Sequence, residues 1–379
     1  MYFKTKLKDL FSLGSANISA SLIGGLFWLY LANIVTKAEY GEIGYLISLA
    51  SMASAISILG LGATILVYEP KKENIFTTAY VVVLISSSLA GFVTYLISQN
   101  LIVSLLVIAM TSFTILLHGL LSRQNYRRYS LNLILKAITS IFLALLFYHI
   151  FGINGIFLGY FLGSLVIIIE LKALIKNQKI KFSILKQKIK FMLPAYSNRL
   201  LDVSFVWGDK LLIGSLFGLS MLGNYFFAAQ YLFLLQTIPL SIFQYLLPQE
   251  SAGKKNKNIK IFSIIIASAI AAISFFVIPF FISRFFPNFE ESIELMQIFS
   301  LAVIPITISQ IQITQFLGKE KSQIVLIGGV FQTTIYLLLV ILLGNYFGLI
   351  GIAIGLVISV IIRIIFNLFT ANRLGIKNQ

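Results

Sequence analysis

Apolar runs of spanning length recur from one end of the chain to the other, separated by short polar breaks. A helix rises about 1.5 Å per residue, so crossing a hydrocarbon core about 30 Å thick takes roughly 20 residues. The runs at 10–35, 43–68, 75–98, 101–121, 130–150 and 153–170 predict six spanning helices in the first half. Those at 193–218, 222–248, 261–283, 294–317, 322–344 and 347–371 predict six more. The breaks leave no room for a domain outside the membrane. The longest runs from Glu170 to Lys190, is rich in lysine, and predicts an amphipathic helix on the cytoplasmic side. The expected organisation is an N-lobe over 1–175, a basic linker over 176–192 and a C-lobe over 193–379.

The two halves carry matching segments. The chain reads FGINGIFLG from residue 151 and FGLIGIAIG from residue 347, both F-G-x-x-G-I-x-x-G, each opening the last helix of its half. Glycine is common in membrane helices, but five matched positions at equivalent places go beyond that background. A weaker match sets KAEYGEIGYLISLA (37–50) against GLSMLGNYFFAAQ (218–230) and aligns Gly41 with Gly223. With an even number of helices, both halves share one orientation. The expected fold is therefore an all-α polytopic membrane protein of about twelve helices, in two six-helix lobes related by a parallel pseudo-two-fold repeat. Transporters built this way place the substrate path between the halves.

Composition agrees. Of 379 residues, 58% are hydrophobic and 11% charged, against about 25% charged in soluble domains. The formal net charge is +16. In a soluble protein that suggests nucleic acid; here the cations sit in short loops and read as membrane orientation, so no nucleic-acid partner is expected. Lys4, Lys6, Lys8, Lys71, Lys72, Arg123, Arg127, Arg128, the lysines between Lys172 and Lys190, Lys254, Lys255, Lys257, Lys260, Lys319, Lys321, Arg373 and Lys377 fall on one side. Only Lys37 and Arg284 fall in the alternate loops. This places both termini in the cytoplasm and the chain in the cytoplasmic membrane. The first apolar run is too long for the apolar region of a cleavable signal peptide. There are no cysteines, and the two histidines, His118 and His149, have no ligand spacing; no metal site or cofactor is expected.

Ionisable groups inside lipid are costly and mark candidate sites. The seventh helix carries Arg199, Asp202, Asp209 and Lys210 within about 100° of arc. Arg199 and Asp202 have the spacing to pair, which leaves a purely structural role open beside a polar cavity between the halves. Arg363 lies about 12 Å from the inner end of the last helix, and Lys136 two turns into the fifth. Snorkelling to the inner surface accounts for Lys136 better than a cavity does, and competes evenly with it for Arg363. If both face a cavity, its excess positive charge suits a phosphate headgroup. A desolvated Asp202 suits ion coupling. Asn17, Ser21 and Asn33 suit sugar hydroxyls or helix contacts, and Trp28 and Trp207 suit either interfacial anchoring or sugar stacking. Arg123, Arg127 and Arg128 read as orientation and lipid-headgroup contact. No Gly-rich phosphate loop is present, which argues against an ATP-driven pump. No large outer loop or clustered acid pair is present, which argues against a glycan polymerase, ligase or glycosyltransferase. An enzyme is not expected.

The segment LPAYSNRLLDVSFVWGDKLLIGSLFGLSMLGNYFFAAQYL (193–232) resembles the central signature of the polysaccharide flippases of the multidrug/oligosaccharidyl-lipid/polysaccharide exporter superfamily. The matching positions are Asp209 and Lys210, Leu211 to Gly214, and Leu222, Gly223 and Tyr225. The F-G-x-x-G closing each half is also typical, and the resemblance covers the whole chain. The first half matches less fully: it keeps Glu39-Tyr40-Gly41-Glu42 but lacks a charged cluster. The resemblance implies translocation of polyprenyl-pyrophosphate-linked oligosaccharide between leaflets by alternating access. The implied partners are that substrate, membrane lipids and other surface-polysaccharide assembly proteins. Substrate contacts are expected from Arg199, Arg363, Lys210, Asp209, Lys136 and Asn17, and ion coupling from Asp202. An ion-coupled multidrug exporter of the same superfamily and a non-transporting membrane scaffold are the alternatives.

Overall fold

A computed structural model describes residues 2–175, 179–251 and 256–373. Among the described residues every regular element is helical. The helices are α1 (Tyr2–Ile34), α2 (Lys37–Ser57), α3 (Leu61–Tyr68), α4 (Phe76–Ser98), α5 (Leu101–Ser122), α6 (Tyr126–Phe151) and α7 (Ile153–Ser164). They continue with α8 (Ile168–Ile175), α9 (Phe182–Gln187), α10 (Ile189–Phe217), α11 (Leu219–Ser251), α12 (Lys257–Phe285), α13 (Ile293–Gly318) and α14 (Ser322–Arg373). Lys176, Lys254, Lys255 and Lys377, counted above toward orientation, lie outside the described residues, as do the side chains of Lys4, Lys6 and Lys8.

Among the described residues, eight helices are long and apolar enough to cross a membrane, or nine if the bent pair α2–α3 is one span. Their outward residues leave no other solvent. Ile169, Phe276, Phe280 and Tyr346 are 83%, 78%, 75% and 81% exposed. Each large apolar side chain left in water forgoes roughly 1.5–3 kcal/mol, and lipid removes that cost. The chain is a multi-pass membrane protein.

The helices lie where the apolar runs placed them, with local differences that have causes. The second run, expected from 43, starts at Lys37, because Thr36 and Glu39 form a capping box: the Glu39 carboxylate accepts from Thr36 N–H at 2.8 Å and its own N–H donates to the Thr36 hydroxyl at 3.3 Å. The same run breaks by 48° between α2 and α3, where Leu59 and Gly60 take positive φ (54° and 74°). The basic segment, expected as one amphipathic helix, is interrupted: α8 ends at Ile175 and α9 holds six residues. Lys181, before α9, is extended (φ −139°), and its N–H donates to the Thr78 hydroxyl at 2.9 Å rather than to a helical carbonyl.

Chain packing defines two compact units. The first comprises Met1–Tyr30 and Leu46–Val203, the second Leu31–Tyr45 and Ser204–Gln379. In the first, Leu61, Ile65, Phe76, Phe113, Leu116 and Leu185 build one buried core from α3, α4, α5 and α9. Arg123 is part of this frame: it donates to Glu69 at 3.0 Å and to the Ala173 and Leu174 carbonyls at 3.0 and 2.6 Å. The other oxygen of Glu69 accepts from the Ile75 and Phe76 N–H groups and so caps the start of α4. Arg123 thus ties three helix ends together, beyond the lipid contact expected of it. In the second unit, Tyr40, Phe226, Phe227, Phe286 and Phe289 form a buried aromatic core, with Tyr40 edge-on to three of these rings at 5.3–6.1 Å.

The two copies of F-G-x-x-G-I-x-x-G fold alike. Gly152 has φ 58°, ψ −138°, and Gly348 has φ 59°, ψ −137°. Only glycine adopts this region without strain. A Cβ on Gly155 would stand 2.1 Å from the Phe147 carbonyl oxygen, and one on Gly351 would stand 2.0 Å from that of Leu343. Each motif therefore turns the chain sharply and packs the new helix backbone-to-backbone on the one before it. At Gly348 that turn lies inside the hydrogen-bonded run of α14.

Candidate functional site

Within the second unit, α10 carries Asp209 and Lys210 side by side, both buried. The Lys210 ammonium donates to both Asp209 oxygens, at 3.0 and 3.3 Å, and to the Val206 carbonyl at 2.7 Å. The Tyr225 hydroxyl, from α11, donates to Asp209 Oδ2. The Tyr336 hydroxyl, from α14, lies 3.1 Å from the same oxygen and 2.7 Å from the Tyr225 hydroxyl. Tyr225 and Tyr336 are 1% and 0% exposed. Three helices thus converge on one carboxylate. A buried ion pair is tolerable only where hydrogen bonds satisfy the remaining lone pairs and protons, and the two tyrosines and the Val206 carbonyl do so. The charged pair is saturated from within the protein, which fits it to hold α10, α11 and α14 in register.

Arg363 belongs to a different polar set in the same unit. One guanidinium nitrogen donates to Gln332 Oε1 at 2.6 Å and another reaches the Val325 carbonyl at 3.4 Å. One turn further along α14, Asn367 donates to Gln312 of α13 at 3.0 Å. Arg363 is half-buried, whereas Gln312, Gln332 and Asn367 are buried. This row of amides orients the guanidinium, with Gln332 and the Val325 carbonyl as two of its acceptors. The planar fork of an arginine suits a phosphate.

In the first unit, Arg199 and Asp202 are exposed on α10, and Arg199 is close enough to His118 to act on it electrostatically. Lys136 stands 4.5 Å over the Phe113 ring. Phe113 lies nine residues before the end of α5, about 14 Å by helical rise. The ammonium is therefore held by a cation–π contact at its own depth and does not snorkel as expected. Asn17 is exposed and hydrogen-bonds Tyr129.

Of the residues singled out from sequence, the structure joins Asp209 with Lys210 and leaves Arg199, Asp202 and Asn17 exposed. It adds Tyr225, Tyr336, Gln312, Gln332 and Asn367. Tyr225 had a signal, its place in L-G-x-Y. The others had none, since a neutral polar residue in a membrane helix is as often a helix contact as a site.

Apolar helices of spanning length, with a buried ion pair where three of them meet, define a polytopic membrane protein. The "Polysaccharide biosynthesis protein" family model matches residues 6–253, and the chain belongs to that family. Among solved structures it is similar to the lipid II flippase MurJ in an inward closed conformation, with TM-score 0.64, 16% identity, and coverage of 95% of this chain and 87% of that one. It is similar to an inward-facing multidrug resistance MATE transporter, with TM-score 0.71, 15% identity, and coverage of 95% and 96%. It is also similar to a Vibrio cholerae MATE transporter, with TM-score 0.60, 15% identity, and coverage of 97% and 99%. No curated protein sequence matches at a significant level.

Proposed function

We propose that the chain is a flippase that carries a polyprenyl-pyrophosphate-linked oligosaccharide from the inner to the outer leaflet of the cytoplasmic membrane by alternating access. The observation that carries this reading is the polysaccharide-biosynthesis match over residues 6–253 of a chain with a transporter fold. Buried and half-buried cations support it against the multidrug alternative. A pyrophosphate needs a positively charged cradle, whereas an organic cation needs a carboxylate without a basic neighbour, and Asp209 has Lys210 against it. Lipid headgroups and other surface-polysaccharide assembly proteins are the partners this reading implies.

In this reading the helices make twelve passes. The run α14 spans 52 residues, about 78 Å of helix, more than twice a bilayer core, so its break at Gly348 separates two passes. The bent pair α2–α3 is one pass. The helices α10 and α11, whose polar residues lower their hydropathy, are two more. The matching geometry at Gly152 and Gly348 supports the parallel repeat, with lobes over 1–175 and 193–379 joined by the linker 176–192. Both termini then lie in the cytoplasm.

Arg363 is the leading phosphate contact, with Arg199, Lys136 and Asn17 as further contacts and Asp202 as the ion-coupling group. Asp209 and Lys210 act by fixing the helices that carry the site. Purified protein in vesicles holding a labelled polyprenyl-pyrophosphate oligosaccharide tests this assignment. Arg363→Ala should slow flipping at least tenfold and Arg363→Lys less, since charge survives but the fork does not. Asp202→Asn should flip at equilibrium but lose its response to an ion gradient. Wild-type rates from Arg363→Ala remove Arg363 from the site, and an intact gradient response from Asp202→Asn removes Asp202 from coupling.

A further inference from the structure

The first turns of α2 and α11 cross with no side chain between them. A Cβ on Gly41 would stand 1.9 Å from the Leu219 carbonyl oxygen and 2.8 Å from Gly223 N. One on Gly223 would stand 2.0 Å from the Lys37 carbonyl oxygen and 3.3 Å from Gly41 N. The contact is reciprocal: each glycine meets the carbonyl four residues before the other. These are also the two glycines that the sequence repeat aligns, so a local two-fold axis passes between them.

Side chains close over the crossing. Glu291, from the turn Pro287–Ser292, takes Lys37 of α2 on one oxygen at 2.9 Å and Asn224 of α11 on the other at 2.7 Å. Tyr40, from α2, is fully buried among Phe226, Phe227 and Phe289. The polar part is a clasp of low strength. The Lys37 and Glu291 side chains are 29% and 64% exposed, and solvent-exposed pairs of this kind are weak because water screens them. Such a contact confers geometry without locking it.

We propose that this glycine crossing, closed by the Glu291 clasp, is the outer gate of the transport cycle, and that the starts of α2 and α11 separate to release substrate. The inference rests on the flippase reading for its purpose and on the geometry for its location. Lys37 lies in one of the two loops that the charge pattern leaves on the outer side, and the crossing shares that end of α2. Backbone contact through glycine lets the two helix starts meet closely at each closing, while Tyr40 parts from Phe226 and Phe227 and packs on them again in each cycle.

The chain lacks cysteine, so a test needs no background removal. Lys37→Cys with Glu291→Cys is joined by a reducible bifunctional thiol reagent in vesicles. Joined protein should flip labelled lipid-linked oligosaccharide at least tenfold more slowly than unjoined protein, and reductant should restore the rate. Undiminished flipping by joined protein overturns the gate. Should the unjoined variant and the wild type both fail to flip, the flippase reading fails, and spin labels on the same two cysteines then judge the gate alone. Two distance populations, the longer one increased by Gly223→Val, support it; a single short population, unchanged by that substitution, overturns it.

Discussion

Replacing Asp209 by Asn keeps the shape of the side chain and removes its charge. The Lys210 ammonium, 9% exposed, then keeps the Val206 carbonyl at 2.7 Å as an acceptor and loses its counter-ion. At the observed 3.0 Å the Coulomb attraction is about 5 kcal/mol in an effective dielectric of about 20. Part of that offsets desolvation, and breaking such a buried pair from one side typically costs about 3–5 kcal/mol. Asp209→Asn should therefore destabilise the protein by about that amount, and Lys210→Met comparably, since it strands a carboxylate. The pair Asp209→Leu with Lys210→Met removes both charges, while Tyr225 and Tyr336 keep their mutual bond at 2.7 Å. It should be far less destabilised than the sum of the single changes, with a coupling energy of at least about 2 kcal/mol. The assay is reversible unfolding in mixed detergent micelles, with flipping measured on the same preparations. If Asp209→Asn unfolds like wild type and yet flips poorly, the pair contacts substrate and the reading of a structural strut is refuted. Additive single effects would refute the coupling itself.

Reporter fusions test the twelve-pass topology: those at Lys72 and Lys186 should read cytoplasmic and those at Lys37 and Asn288 external, and one internal loop reporting from the wrong side breaks it. Gly351→Ala places a Cβ about 2.0 Å from the Leu343 carbonyl oxygen. With no room for the backbone to yield, it should lower stability by about 1–3 kcal/mol, the usual range for overpacking, as read by the same unfolding assay; Gly329→Ala, where nothing lies within 4 Å, should not.

The helices were legible because lipid imposes one rule: each crossing must be apolar and about 20 residues long. The breaks within them were less so. Leu59–Gly60 interrupts an apolar run through backbone dihedrals, which hydropathy does not register, and Lys181 leaves the helix because Thr78, distant in sequence, offers its N–H an acceptor. Gly152 and Gly348 were visible as a repeated motif, although their identical conformation was not. The charged residues on α10 stood out by their rarity, yet nothing local distinguished the buried Asp209 and Lys210 from the exposed Arg199 and Asp202. That difference depends on Tyr336, which α14 brings in from far along the chain. Lys136 was expected to reach the surface, and the Phe113 ring that holds it belongs to another helix.

The central claim is that the substrate is a lipid-linked oligosaccharide, and one measurement bears on it most directly. Wild-type protein is placed in vesicles with a polyprenyl-pyrophosphate oligosaccharide labelled on the sugar, and the rate at which the label becomes accessible to an outside lectin is compared with that of protein-free vesicles. A fluorescent organic cation is assayed in parallel. The account predicts protein-dependent flipping of the oligosaccharide and no transport of the cation; transport of the cation, with the oligosaccharide remaining in its original leaflet, would contradict it.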